Sequence, residues 1–264
     1  MNSSRAERLF LALWSWALAL FIVLPLVAVL AVSLTPRGYV SLPTDGLSLR
    51  WFAQLSTRTD FGIAALNSLL LAAEASLTAV TLGTLAAIAA VRYNFPGRET
   101  VRLLITSPLF VPAVLMGIAI LMFSTVHGFT NQHARLYVAH TALTLPYVFR
   151  TVLASLTGFD MNQEYAARNL GAHPVSAFFL VTLPQIAPGL IAGTVFAFIV
   201  SFDNVAVSVF LTGTRFTTLP VELFNYTMNE SDPMAAALSV AMIVVSMIAV
   251  LLLERLFGLQ RVMN

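Results

Sequence analysis

EYAARNLGAHPVSAFFLVTLP, residues 164–184, lies between two apolar segments of membrane-spanning length and predicts a short helical knob outside the membrane. Asp160 and Gln163 have the spacing of a capping box, which satisfies free amides at a helix start. We therefore expect a helix to begin near Met161. It should end at Gly171, because glycine adopts the left-handed conformation that closes helices without steric cost.

The predicted knob presents small and apolar side chains on one side. Ala166, Ala167 and Leu170 share a helix face, and two alanines allow a partner surface to approach the backbone closely. This pattern indicates a docking face rather than a core face. Pro174 suits the first turn of a second short helix. Leu183-Pro184 is then expected to redirect the chain into the next apolar segment.

The knob resembles the signature loop of the membrane permease subunits of binding-protein-dependent ABC importers. That signature reads Glu-Ala-Ala, three residues, Gly, nine residues, an aliphatic residue, any residue, Leu-Pro. The matching positions here are Ala166-Ala167, Gly171, Val181, Thr182 and Leu183-Pro184. One position departs from the pattern, because Tyr165 stands in place of the signature Glu and Glu164 lies one residue earlier.

The resemblance implies a type I ABC importer permease fold, an all-α membrane protein with six transmembrane helices and a cytoplasmic coupling helix. It also implies that the coupling helix contacts an ATPase through Glu164, Tyr165, Ala166, Ala167, Leu170 and Gly171. The implied partners are a second, related permease chain, two cytosolic ATP-binding subunits and an external solute-binding protein. ATP and Mg²⁺ would be bound by the ATPases, and no cofactor is expected in this chain.

The resemblance extends from about residue 67 to residue 257. Within it, Ser201-Phe202-Asp203-Asn204 and the turn Arg92-Tyr93-Asn94-Phe95-Pro96-Gly97-Arg98 are similar to the spermidine/putrescine branch of these permeases.

Composition independently requires a membrane. The 264 residues are 58% hydrophobic and 10% charged, too little polar surface for a soluble domain of this size. All fourteen basic residues are arginine. Without lysine the chain has no Walker A phosphate loop, and we see no nucleophile-and-base or metal motif. The chain is therefore not expected to be the ATPase itself, and the resemblance implies a non-catalytic permease.

Six apolar stretches each reach the ~20 residues that a bilayer core requires. They span about 9–34, 62–91, 101–124, 135–156, 186–212 and 235–257. Nine arginines fall on one side of the membrane, namely Arg5, Arg8, Arg92, Arg98, Arg102, Arg150, Arg168, Arg255 and Arg261. Five fall on the other side, Arg37, Arg50, Arg58, Arg135 and Arg215. The excess predicts cytoplasmic termini, and the resemblance implies the bacterial inner membrane.

We expect a single permease domain over 1–264, with a core at about 62–257 and a coupling loop at about 157–184. Pro108, Pro112 and Pro146 are expected to kink or end helices. In the segment between the first two spans, Leu49, Trp51, Phe52 and Leu55 indicate a short interfacial helix.

Two acids, Glu74 and Asp203, are placed well inside the membrane. At ~1.5 Å per residue, Glu74 lies ~18 Å from the outer start of its span and Asp203 ~22 Å beyond Pro188. Acids at such depth mark a pathway by default. Polar residues at helical spacing form three stripes, Asn67/Glu74/Thr78/Thr81, His140/Thr144/Tyr147/Thr151 and Ser201/Asn204/Ser208.

A shared lining is predicted from Asp203, Asn204, Glu74, Ser201, Tyr147 and Thr144. The alternative is that these groups only hydrogen-bond between helices. For Glu74 the two interpretations weigh equally, and His140 alone would more often be a packing histidine. An acidic lumen suits a cation such as a polyamine. Other solutes, such as amino acid derivatives, and an ion-coupled secondary transporter remain alternatives, although the latter normally needs internal repeats.

Overall fold

The computed structural model describes residues 5–42 and 45–257, and across them it is built from α-helices without a β-strand. The α-helices are α1 (Arg5–Ser33), α2 (Arg50–Ser56), α3 (Thr59–Arg92), α4 (Arg98–Thr106), α5 (Ala113–Val126), α6 (Gln132–Thr157), α7 (Asn162–Asn169), α8 (Pro174–Ala177), α9 (Leu183–Phe202), α10 (Ser208–Leu211), α11 (Leu219–Asn229) and α12 (Met234–Phe257). A 3-10 turn covers Ser107–Phe110 and a π-helical turn covers Phe178–Thr182. Arg261, counted above for the orientation, lies outside the described residues.

Long apolar helices occur where the sequence predicts membrane spans. Among the described residues, four helices are long and apolar enough to cross a membrane, and the number rises to six if each of two bent helix pairs forms one span. The structure is therefore that of a multi-pass membrane protein. The chain divides into two compact units, Met1–Gly62 with Leu223–Val245 and Ile63–Glu222 with Ser246–Asn264.

The third predicted span, 101–124, is not one continuous helix but a bent pair, as its prolines led us to expect. Its two halves, Arg98–Phe110 and Ala113–Val126, meet at an angle of 107°. Pro108 lies in the 3-10 turn and Pro112 precedes α5. Neither proline can donate a backbone hydrogen bond. The α-helix α4 ends at Thr106, just before the turn that holds Pro108, and the bend itself falls at Pro112, between Phe110 and Ala113. Pro146, in contrast, lies inside α6, which continues past it.

The fifth span begins and ends earlier than predicted. A helix runs from Pro174 to Phe202, so Leu183-Pro184 lies within it and does not redirect the chain. The π-helical turn directly before Pro184 explains the continuity, because its wider spacing accommodates a residue that lacks an N–H group. The helix ends at Phe202, and Asp203 is its C-terminal cap rather than an interior residue.

Helices α6 and α9 pack closely within the second unit. A side chain at Gly193 would bring its Cβ within 3.0 Å of the Val148 Cα, so only glycine permits this approach. Small residues serve the same purpose in many membrane helix pairs. Val148, Phe149 and Ile186 are almost completely buried beside this contact and form part of the core.

The segment between the first two long helices carries the short helix predicted from its aromatic residues, α2. Trp51 is 3% exposed and its indole Nε1 donates a hydrogen bond to the Thr35 carbonyl at 3.0 Å. In the same unit the rings of Phe61 and Tyr226 meet edge to face, with centroids 5.6 Å apart.

Candidate functional site: the helical knob and the polar stripes

Both predicted ends of the knob helix are present. The Asp160 carboxylate accepts a hydrogen bond from the Asn162 N–H at 3.0 Å, and α7 begins at that residue. Gly171 has a φ of +95° and donates to the Arg168 carbonyl at 3.0 Å. The next amide, that of Ala172, donates to the Ala167 carbonyl at 3.1 Å. These two bonds form the Schellman arrangement that closes a helix at glycine.

The predicted capping box does not form. The Asp160 side chain accepts from the Asn162 N–H, the Gln163 N–H donates to the Asp160 main-chain carbonyl at 3.2 Å, and the Gln163 side chain does not return to Asp160. Gln163 instead accepts a hydrogen bond from the side-chain amide of Gln185 on α9. The glutamine therefore ties α7 to the start of the fifth span.

The outer face of α7 is exposed and partly apolar. Leu170 is 90% exposed and Tyr165 is 50% exposed. Ala166 is also exposed, while Ala167 is half-buried. Apolar groups presented together at a surface favour contact with a partner. The predicted docking face is thus accessible, and its contact with an ATPase stays a prediction.

Glu164 points the other way, and this corrects its predicted role as a direct ATPase contact. The residue is only 3% exposed. Its Oε1 and Oε2 accept hydrogen bonds from Arg92 at 3.2 and 2.5 Å, and the Thr182 hydroxyl also donates to Oε2. The reason is geometric, because Glu164 lies on the face of α7 that meets the ends of α3 and the fifth span.

The ion pair keeps Glu164 ionised. Burial alone would raise the pKa of this carboxyl, but the hydrogen bonds from Thr182 and Arg92, with the positive charge of Arg92, outweigh burial and lower the pKa below its usual value. The carboxylate is therefore charged at neutral pH.

Glu74 lies in an accessible polar cluster between α3 and α6. Its carboxylate is 2.9 Å from His133 Nε2, and the two side chains are 44% and 40% exposed. One turn further on, the hydroxyls of Thr78 and Tyr137 are 2.7 Å apart. These four residues and Leu77 line a cavity of about 290 Å³. A second cavity, of about 500 Å³, also borders His133 and includes Arg215.

Glu74 lies near the middle of the 34-residue helix α3, and its partner His133 is the second residue of α6. The depth of Glu74 in the membrane stays a prediction. The rest of its stripe does not join the cluster. Asn67 donates to the Thr217 carbonyl at 3.1 Å, and the exposed Thr81 hydroxyl bonds within its own helix.

Two residues of the stripe on the fourth span, His140 and Thr144, are buried, and so is Ser201 on α9. Thr144 and Ser201 therefore do not line a pathway as predicted. His140 is fully buried, with Nδ1 2.8 Å from the Ser201 hydroxyl and Nε2 2.9 Å from the Ser208 hydroxyl. Thr144 is equally buried and donates to the carbonyl of His140 at 2.8 Å. These groups hold helices together, which is the alternative weighed above.

The remaining predicted pathway residues differ in exposure. Asp203 is exposed at the end of α9, whereas Asn204 caps the following turn by accepting from the Val207 N–H at 2.9 Å. Tyr147 is half-buried and stacks near Phe196, with centroids 6.4 Å apart. Asp203 and Glu74 are therefore the accessible acids among the predicted lining residues.

Four residues of these clusters were not predicted from the sequence as site residues: Arg92, Thr182, His133 and Tyr137. Arg92 counted only toward the orientation, and Thr182 occupies the position of the signature loop where any residue is allowed. A signal exists for Arg92, since it follows a long apolar run and is therefore held near the membrane surface.

Comparison with known proteins agrees with this structure. Residues 79–259 match the family described as "Binding-protein-dependent transport system inner membrane component". The chain is 31% identical over 88% of its length to the spermidine/putrescine transport system permease protein PotC of Haemophilus influenzae, of which it covers 90%. It is 35% identical over 74% of its length to the putrescine transport system permease protein PotI of Escherichia coli K12, of which it covers 72%.

A solved structure supports the fold. The chain superposes with a TM-score of 0.73 and 15% identity on a chain from the crystal structure of a bacterial alginate ABC transporter in complex with an alginate pentasaccharide-bound periplasmic protein. The superposition covers 96% of this chain and 95% of that one.

The chain is thus a permease of the ABC importer class, with the type I permease fold. It belongs to the family of binding-protein-dependent transport system inner membrane components. As in its relatives, its role is transport and not catalysis.

Proposed function

We propose that this permease passes a polyamine, a spermidine- or putrescine-like cation, across the inner membrane. The observation that carries the proposal is the similarity to two polyamine permeases, PotC and PotI, over most of the chain. The accessible acids add a physical reason, because an organic cation leaving water needs carboxylates to compensate its charge.

The Glu74 cluster offers suitable chemistry for an ammonium group. A protonated amine has three donors and no acceptor. Glu74 supplies carboxylate oxygens, and the hydroxyls of Thr78 and Tyr137 supply further acceptors beside the same cavity. His133 Nε2 lies 2.9 Å from this carboxylate, so an amine bound there would displace the imidazole. Asp203 provides a second exposed carboxylate at the end of α9.

The chain would work as one permease domain, paired with a second, related permease chain. Two cytosolic ATPases supply ATP and Mg²⁺ binding, which this lysine-free chain lacks. An external solute-binding protein would deliver the solute; the similar alginate transporter was solved with such a periplasmic protein. The exposed face of α7, around Tyr165, Ala166 and Leu170, is the proposed ATPase contact.

The termini would lie in the cytoplasm. The arginine excess favours this orientation. The ion pair between Arg92 and Glu164 adds support, because it puts the end of the second span on the same side as the coupling loop. ATP-driven closure of the ATPases would push on residues 161–171, and rotation of the permease halves would switch the lumen between the two sides.

The first experiment is to purify the chain with its co-expressed partners and measure ATP hydrolysis in lipid. The loaded binding protein is added with polyamines, amino acids or anions. Stimulation by polyamines alone is the expected result. Stimulation by another solute would support the importer but reject a polyamine as its substrate. Solute uptake without any ATPase would reject the importer and favour an ion-coupled transporter.

A charge-neutralising pair of variants tests the pathway residues. Glu74→Gln and Asp203→Asn should each raise the polyamine concentration for half-maximal uptake by about 10- to 100-fold. This is the change in affinity that corresponds to the loss of one charge-assisted hydrogen bond. Basal ATP hydrolysis should not change. Glu99→Gln removes the same charge from an exposed residue at the start of α4 and serves as the control. Equal uptake in all three variants would contradict the proposed pathway.

A further inference from the structure

Three segments of the chain meet at the inner face of α7. Arg92 is the last residue of α3, Glu164 lies in α7, and Thr182 ends the π-helical turn. Arg92 donates two hydrogen bonds to Glu164, at 3.2 and 2.5 Å, and one to the Thr182 hydroxyl at 3.1 Å. The Thr182 hydroxyl in turn donates to Glu164. Each member of this triad therefore contacts both others.

The triad is shielded from water. The side chains of Arg92 and Glu164 are 16% and 4% exposed, and Thr182 is fully buried. The guanidinium of Arg92 also lies over the ring of Phe178, 5.7 Å from its centroid. A buried ion pair with this two-bond geometry fixes direction as well as distance. Loss of one partner leaves an uncompensated buried charge.

The opposite face of α7 carries the proposed docking residues. Tyr165 and Leu170 are exposed, while Glu164, one residue before Tyr165, faces inward. Gln163 adds a second polar contact, to Gln185 on α9. A tilt of α7 therefore cannot occur without moving the end of α3 and the start of the fifth span, or breaking these bonds.

We propose that the triad of Arg92, Glu164 and Thr182 is the internal joint that carries a displacement of α7 to the second and fifth spans. Arg92 is then a positioning residue, which acts through Glu164 and does not itself contact ATP or solute. The inference rests on the proposed function, because it needs an ATPase that moves α7. It replaces the direct acidic contact predicted for Glu164 with an internal one.

The experiment compares variants in the complete complex, reconstituted in lipid with its ATPases and loaded binding protein. Arg92→Gln should assemble, retain basal ATP hydrolysis and lose at least ten-fold in stimulated hydrolysis and uptake. The exchange Arg92→Glu with Glu164→Arg should recover part of this loss. Arg98→Gln is the matched control, since the Arg98 guanidinium hydrogen-bonds to two exposed side chains, those of Asn94 and Glu99.

A direct measurement of position accompanies the assay. The chain has no cysteine, so Leu170→Cys gives a single site for a spin label on the knob. In the permease complex without ATP, Arg92→Gln should make this label more mobile, and Arg98→Gln should not.

The outcomes are separable. If no solute stimulates hydrolysis in the wild-type complex, the inference fails together with the proposed function. If a solute other than a polyamine stimulates it, only the proposed substrate is rejected, and the variants are compared with that solute. If the wild type is stimulated and Arg92→Gln is stimulated equally, the inference alone is overturned. If Arg92→Gln does not assemble, Thr182→Val decides. If Thr182→Val shows wild-type stimulated hydrolysis and uptake, the inference is overturned. If it assembles fully and both activities are reduced, the inference is supported.

Discussion

Replacement of Gly171 by alanine should weaken coupling through the backbone alone. Gly171 has a φ of +95°, and a Cβ placed there would meet no atom within 4 Å. The substitution therefore creates no clash, and its whole cost is the strain of a left-handed conformation, about 1–2 kcal/mol for an L-residue. This cost lowers the ratio of the closed to the frayed conformation at the C-terminal end of α7 by roughly 5- to 30-fold.

The chain offers a matched control for this strain. Gly128, in the turn after α5, also has a positive φ, +66°, and a Cβ there would likewise meet no atom within 4 Å. Gly128→Ala imposes a similar backbone cost away from the knob. Uptake and stimulated ATP hydrolysis should fall several-fold in Gly171→Ala and remain near wild type in Gly128→Ala. The activities of Gly171→Asn should lie between those of Gly171→Ala and Gly128→Ala, because asparagine tolerates the left-handed region better than alanine.

One result would refute this reasoning. If Gly171→Ala and Gly171→Val transport as well as the wild type in fully assembled complexes, the end of α7 does not need its observed conformation. Equal losses in Gly171→Ala and Gly128→Ala would show that general destabilisation, and not the knob, sets the rate.

Two further predictions concern helix packing. His140→Leu should lower the melting temperature in detergent, because it leaves two buried serine hydroxyls without their hydrogen-bond partner. Each unsatisfied hydroxyl costs about 1–3 kcal/mol of stability. An unchanged melting temperature would show that other groups satisfy them. Gly193→Val should cost about 1–3 kcal/mol by forcing α9 away from α6. Gly62→Val, whose Cβ would meet no atom within 4 Å, should not reproduce this loss.

The start and end of the knob were predictable because their causes are local. The Asp160 carboxylate accepts a hydrogen bond at the start of the helix that follows it, and Gly171 ends the same helix, so each effect lies within a few residues of its cause. The long apolar segments were predictable for a similar reason, since length and hydropathy decide which segments can cross a bilayer.

The side-chain partners were not predictable because they depend on contacts between distant segments. Arg92 and Glu164 are 72 residues apart, and His140 and Ser201 are 61 residues apart. Periodicity shows that polar residues share a helix face, but it does not show which neighbour that face meets. The His140 stripe therefore suggested a lining, whereas the packing of α6 against α9 makes it a contact between helices.

The π-helical turn at Phe178–Thr182 sets the rotational phase between the knob and the fifth span. An α-helix advances about 100° per residue. Removal of one residue from this turn would restore regular α-helical spacing and rotate α9 by roughly that angle relative to α8. Ser201 would then turn away from His140 at one end, or the Thr182 hydroxyl would leave Glu164 at the other. The number of residues in this turn therefore matters for the contacts at both ends of the fifth span as much as the identities of the side chains do.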